Sequence, residues 1–140
     1  MSRTKTFEYE ELLDFIAREL GEPLQRQESL DGATVFVAGD PGEVIVRCRK
    51  SSVSVAVYAV RWRGPHTPIV VPREFAKLAW NRLPQGALVM TLHALIAAAR
   101  EVRRSEFRKC RMCGDMNPPE WMHSKDICQG CAERHLGVVH

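Results

Sequence analysis

The chain has 140 residues, enough for one ordinary domain or one small domain plus a metal module. Its 45% hydrophobic and 26% charged residues exclude wholesale disorder, and a net charge of +3 is too small by itself to imply a nucleic-acid partner. The charge is unevenly placed: residues 1–60 carry seven Lys/Arg and ten Asp/Glu (−3), and residues 61–140 carry thirteen and seven (+6).

Residues 7–20 read as an amphipathic helix, with Tyr9, Leu12, Leu13, Ile16 and Leu20 on one stripe and Thr6 as N-cap. Gly21 and Pro23 end it. Residues 33–60 read as strands: Ala33–Val37, Glu43–Arg49 and Ser52–Val60. Gly39-Asp40-Pro41-Gly42 marks the first turn between them, and Lys50-Ser51 the second. Val44, Val46 and Cys48 share one strand face, which makes Cys48 a small buried residue. Arg47 and Arg49 leave the other face. Ile69–Val71 reads as a short fourth strand after Gly64-Pro65-His66.

Pro72 suits the first turn of a helix, predicted over 72–82. A long helix over about 87–107 follows Pro84 and Gly86. Its first half is apolar nearly all round, which predicts burial and makes His93 a core or boundary histidine. Its second half turns basic: Arg100, Arg103, Arg104, Arg108, Lys109 and Arg111 lead into a cysteine pair. The expected class is α+β: a helix, an antiparallel three- to four-stranded sheet, two helices, then a small four-cysteine zinc module. The expected domains are 1–107 and 108–140. The helix–strands–helix order is also that of the double-stranded-RNA-binding domain, but Pro72-Arg73-Glu74-Phe75-Ala76-Lys77 lacks that family's lysine cluster.

Cys110 and Cys113 form one C-x-x-C, and Cys128 and Cys131 a second, with fourteen residues between the pairs. Each pair lets two thiolates reach one ion from a tight turn, and two pairs complete a tetrahedral zinc shell. Gly114 relieves the first turn, and Cys131 opens a short helix sequence, Ala132–Leu136. A thioredoxin-like dithiol needs a βαβ setting, which Cys110 lacks, and four thiolates also suit an iron–sulfur cluster. His123 and His135 lie near the pairs, His135 four residues after Cys131. It is a candidate for a direct metal role or for a hydrogen bond to a thiolate.

Residues 110–136 resemble the treble-clef and zinc-ribbon superfamily of four-cysteine modules: a knuckle, a short hairpin, a second knuckle and, in treble clefs, a closing helix. The resemblance implies one structural Zn2+ held by Cys110, Cys113, Cys128 and Cys131. In the GATA-type branch a basic tail after the helix helps to bind DNA; here the only Lys or Arg beyond the second cysteine pair is Arg134.

Two functions fit. In the first, a stripe of Arg100, Arg104, Arg108 and Arg111, flanked by Arg103 and Lys109, contacts nucleic acid beside the module. Arg61-Trp62-Arg63, with Arg47, Arg49 and Lys50, is a second basic set, with an aromatic residue placed to stack on bases. In the second, the module is a protein-interaction knob anchored by Met112, Trp121 and Met122, with Met116 beside them. Met116 and Met122 equally suit the module's own core. No Ser-His-Asp, Walker, dinucleotide or H-E-x-x-H pattern is present, so no enzyme is expected. His66 and His93 are the residues around which a catalytic pocket would have to form. The odd cysteine count, the absence of a leader-like apolar segment after Met1 and of any ~20-residue apolar span predict a reducing, cytoplasmic setting.

Overall fold

A computed structural model describes residues 5–140. The first helix, α1, spans Tyr9–Leu20. Glu8 rather than Thr6 is its N-cap, and the Glu8 N–H donates to the Glu11 carboxylate at 2.9 Å. Leu12, Leu13, Ile16 and Leu20 are buried, as the helical spacing requires.

Strands follow at Leu24–Glu28 (β1), Thr34–Ala38 (β2), Val44–Cys48 (β3) and Val53–Val57 (β4). A small hairpin comes next, Val60–Trp62 (β5) with Pro68–Val70 (β6), and then Arg73–Leu78 (β7). The main sheet is antiparallel, five-stranded, in the order β1-β2-β3-β4-β7. The α+β class stands, with corrections to its elements. The expected strand over 52–60 breaks into β4 and β5, and the expected fourth strand at 69–71 is β6, which pairs with β5 in a separate hairpin and not in the main sheet. Residues 24–28 form a strand the sequence does not announce. Residues 73–78 form an edge strand instead of a helix, because the largely buried β4 needs a hydrogen-bonded neighbour on its open side and tertiary pairing overrides local propensity. Trp80–Arg82 then makes one 3-10 turn.

The long helix α2 spans Gln85–Ser105. Its buried residues are Leu88, Leu92, Ile96, Ala99 and Arg103, a single stripe at spacings of three and four. It is therefore not buried all round: Met90 is 75% exposed. His93 is exposed too, and its Nδ1 meets the Glu19 carboxylate. Both helices cover one face of the sheet, where Phe36, Val46 and Val55 lie side by side in register and complete the core. Cys48 lies in this core, and burial pushes its thiol up to about 12. The other face holds a smaller apolar cluster of Val35, Ile45 and Ala56.

Beyond α2 come two-residue strands, Arg108–Lys109 (β8) and Met116–Asn117 (β9), a 3-10 turn at Pro119–Trp121, and helix α3, Gln129–Leu136. Here Cys110, Ile127, Cys128, Cys131 and Ala132 form a buried cluster of their own. Among the described residues no helix is long and apolar enough to cross a membrane.

Candidate metal centre

The β8–β9 hairpin carries the first cysteine pair. Lys109 pairs with Met116, the Cys110 N–H donates to the Asp115 carbonyl at 2.9 Å, and Gly114, at φ +81°, donates to the Cys110 carbonyl at 2.8 Å. This turn brings the Cys110 and Cys113 sulfurs to one point, Cys110 buried and Cys113 at the surface. The second pair opens α3: Cys128 is its N-cap, and its sulfur accepts the Cys131 N–H at 3.4 Å. A bridge between Met122 and Cys128 and the αL Gly137 close the two ends of the segment.

All four Sγ atoms lie within 4.8 Å of one another, and Cys113 and Cys128 are 4.0 Å apart. A tetrahedron with ~2.3 Å metal–sulfur bonds has sulfur–sulfur edges of about 3.8 Å, so the set is placed to bind one ion with little movement. Three of the sulfurs are buried, and that of Cys113 belongs to an exposed residue.

The thiols differ in acidity. N–H donation from Cys113 and Cys128 draws Cys110 down to about 6. Burial, then the other three sulfurs, push Cys131 up to about 12. Cys113 is also raised, because burial and its neighbouring sulfurs outweigh the Asp115 N–H bond. A cation must therefore displace the protons of Cys113 and Cys131. Metal binding at pH 7 is expected to release protons, and affinity is expected to fall as pH drops. Calorimetry in buffers of different ionisation enthalpy measures that release.

Arg134 supplies a contact that spacing alone assigned to His135. Its Nη2 donates to Cys131 Sγ at 3.4 Å, while His135 is exposed. The guanidinium folds back over Gly130, where a Cβ would lie 3.0 Å from Nη1. Cys128 N–H likewise donates to Cys110 Sγ at 3.4 Å. Such donors drain charge from a four-thiolate shell. Arg134→Ala is expected to speed metal transfer to a chromophoric chelator about tenfold, with Arg134→Lys intermediate.

The expected basic helix face does not form, because α2 ends at Ser105 and leaves Arg108 on β8 and Arg111 in the turn after it; the basic residues are mostly engaged within the chain. Arg100 donates to the Leu20 carbonyl at 2.8 Å and ion-pairs Glu43 at 3.2 Å. Arg104 also binds Glu43. Arg103 is 2% exposed. Its guanidinium binds both Glu120 oxygens, at 3.0 and 2.5 Å, and its Nε donates to the Gly42 carbonyl at 2.9 Å. It also lies over the rings of Tyr58 and Phe107. Glu120 sits in the loop between the cysteine pairs, so this arginine ties α2, the β2–β3 turn and the metal segment together. Arg111 pairs with Asp126 at the surface. Arg108 and Lys109 are exposed, and neither has an ion-pair partner among the described residues.

Of the apolar candidates, Met122 packs against the cysteine cluster, while Met112, Met116 and Trp121 are exposed. Trp121 is 47% exposed, and Trp62 on β5 is 43% exposed. The two line one cleft of about 390 Å³ between the β5–β6 hairpin and the metal segment. Tyr58 lines it too, and burial followed by the Glu120 carboxylate pushes its hydroxyl up. Arg134 was discoverable from its position three residues after Cys131. Glu120 and the pairing of Trp62 with Trp121 join segments distant in sequence and had no local signal. Comparison with protein-family models, curated proteins and solved structures gives no significant match.

Proposed function

We propose that the chain is a non-catalytic protein-interaction adaptor in which one structural zinc, held in a treble-clef-like arrangement, fixes a recognition surface. The single observation that carries this reading is the cleft lined by exposed Trp62 and Trp121 across the junction of sheet and metal segment. Tryptophan is enriched in interface hot spots, and Met112 and Met116 extend the exposed apolar surface of the same segment. Zinc is the ion that four thiolates at this spacing favour, and four thiolates leave no position for substrate or water. A shell of free thiolates fits a reducing compartment such as the cytoplasm. The test is co-purification from nuclease-treated extract at moderate salt. Wild-type protein is expected to retain a partner that Trp121→Ala loses.

A second reading, contact with nucleic acid or its machinery, draws on exposed Arg108 and Lys109 with Arg61 and Arg63. It expects Arg108→Ala with Lys109→Ala to weaken binding and to lower its salt slope by ~2 charges. Partner retention abolished by nuclease or salt would favour this reading over the adaptor.

A further inference from the structure

We propose that the Trp62–Trp121 cleft receives a lysine or arginine side chain of the partner protein, an inference that rests on the adaptor reading. The carrying observation is the chemistry of the lining. Two exposed indoles form walls, with Tyr58 and Pro41 beside them, and the charged groups are the carboxylates of Asp40 and Glu120. Among the described residues no lysine or arginine lines this cleft, and the nearest guanidinium, that of buried Arg103, lies behind it against Glu120 and Tyr58. Arg61 and Arg63 flank Trp62 in sequence, but neither lines the cleft.

The two carboxylates are not equivalent. Glu120 is held by Arg103, whereas Asp40 is exposed and has no ion-pair partner among the described residues. Indole faces carry the negative part of the ring quadrupole and attract guanidinium and ammonium groups. A carboxylate at the rim of such walls adds charge-assisted hydrogen bonding. The chain as a whole is +3, so its overall field repels a cationic segment. Attraction of a cation must therefore come from the cleft itself, and an acidic or purely aliphatic side chain gains nothing from Asp40.

The probe is N-acetyl-arginine methylamide, titrated into metal-loaded full-length protein while the indole N–H signals are followed by NMR. The Trp80 indole is buried and bonded to the Arg49 carbonyl at 2.8 Å, so it serves as the internal control. Saturable shifts at Trp62 and Trp121 but not Trp80 are expected, with affinity about tenfold above that for the norleucine analogue. Asp40→Asn is expected to remove most of that preference without unfolding the exposed turn. Equal or tighter binding of the norleucine analogue at the same indoles would overturn the cationic assignment and leave the adaptor reading standing. Shifts that persist in Trp62→Ala, or no shift with either compound, would also overturn it. Partner retention in the extract, sensitive to Trp121→Ala, reports on the adaptor reading independently.

Discussion

Removing the metal, by chelation or by Cys128→Ser, is expected to unfold residues 108–140 while α1, α2 and the five-stranded sheet remain folded. The buried cluster of this segment consists of three cysteines, Ile127 and Ala132, with Met122 and Val138 packed against it. Without the ion, two fully apolar side chains and two partial ones must offset the ordering entropy of some thirty residues. That entropy is of the order of 1 kcal/mol or more per residue, and such a core cannot balance it. A structural zinc contributes about 10–16 kcal/mol to comparable small modules. Cys128 is the most damaging ligand to lose, because it also caps α3 and bridges to Met122. Hydrogen exchange on reduced protein with and without chelator checks this outcome. Protection is expected to vanish from β8 to α3 and to persist in β2, β3 and β4. Unchanged protection in the C-terminal segment of the metal-free protein would show that it folds on side-chain packing alone.

The second large effect is expected at Arg103. Arg103→Ala leaves Glu120 with no cation and the Gly42 carbonyl without its donor, in a site where both charged side chains are nearly inaccessible. Breaking a buried pair from one side costs about 3–5 kcal/mol, since the remaining charge stays desolvated. Glu120→Ala is expected to cost a similar amount for the mirrored reason. Changing both to apolar residues of similar size, Arg103→Met with Glu120→Leu, is expected to cost much less than either single change. Urea denaturation of the four proteins as a double-mutant cycle measures the coupling. Additive effects near zero would mean that water reaches this pair. Cleft architecture is tied to the same contact, because Glu120 adjoins Trp121 and Arg103 lies over Tyr58. Gly42 matters here as well: a Cβ at that position would lie 2.4 Å from the Tyr58 ring and push it off the guanidinium.

Much of the main layer was legible because it is periodic. α1 and α2 carry apolar stripes, and β2, β3 and β4 carry alternating or continuous β-branched runs between clear turn residues. β1 was not legible: Leu24–Glu28 reads LQRQE, with four of five residues exposed at the edge of the sheet. An edge strand that buries little needs no apolar pattern, only a neighbour whose backbone it can satisfy. At β7 the sequence predicts a helix, because Pro72 and the residues after it suit a helix start. Its sheet role appears only once Ala76 and Leu78 are set against Val55 and Val53. Cysteine spacing disclosed the four sulfurs that the fold gathers within 4.8 Å of one another, since chelation chemistry dictates such spacing directly.

The arginines show the opposite case. In sequence, Arg100, Arg103 and Arg104 form one basic run with Arg108. In the fold, Arg103 continues the buried stripe of Leu88, Leu92, Ile96 and Ala99, while Arg100 and Arg104 turn to Glu43. That stripe was already written in the three- and four-residue spacing. What composition did not reveal is that its last member is an arginine facing a glutamate from another segment.

The most direct test is metal analysis of purified protein kept reduced throughout, by inductively coupled plasma mass spectrometry with thiol titration before and after chelation. One zinc per chain is expected, with four thiols becoming reactive only when it is removed and buried Cys48 remaining silent until the protein is denatured. Protein without metal, or with iron and visible absorption in place of zinc, would contradict a zinc-built recognition surface.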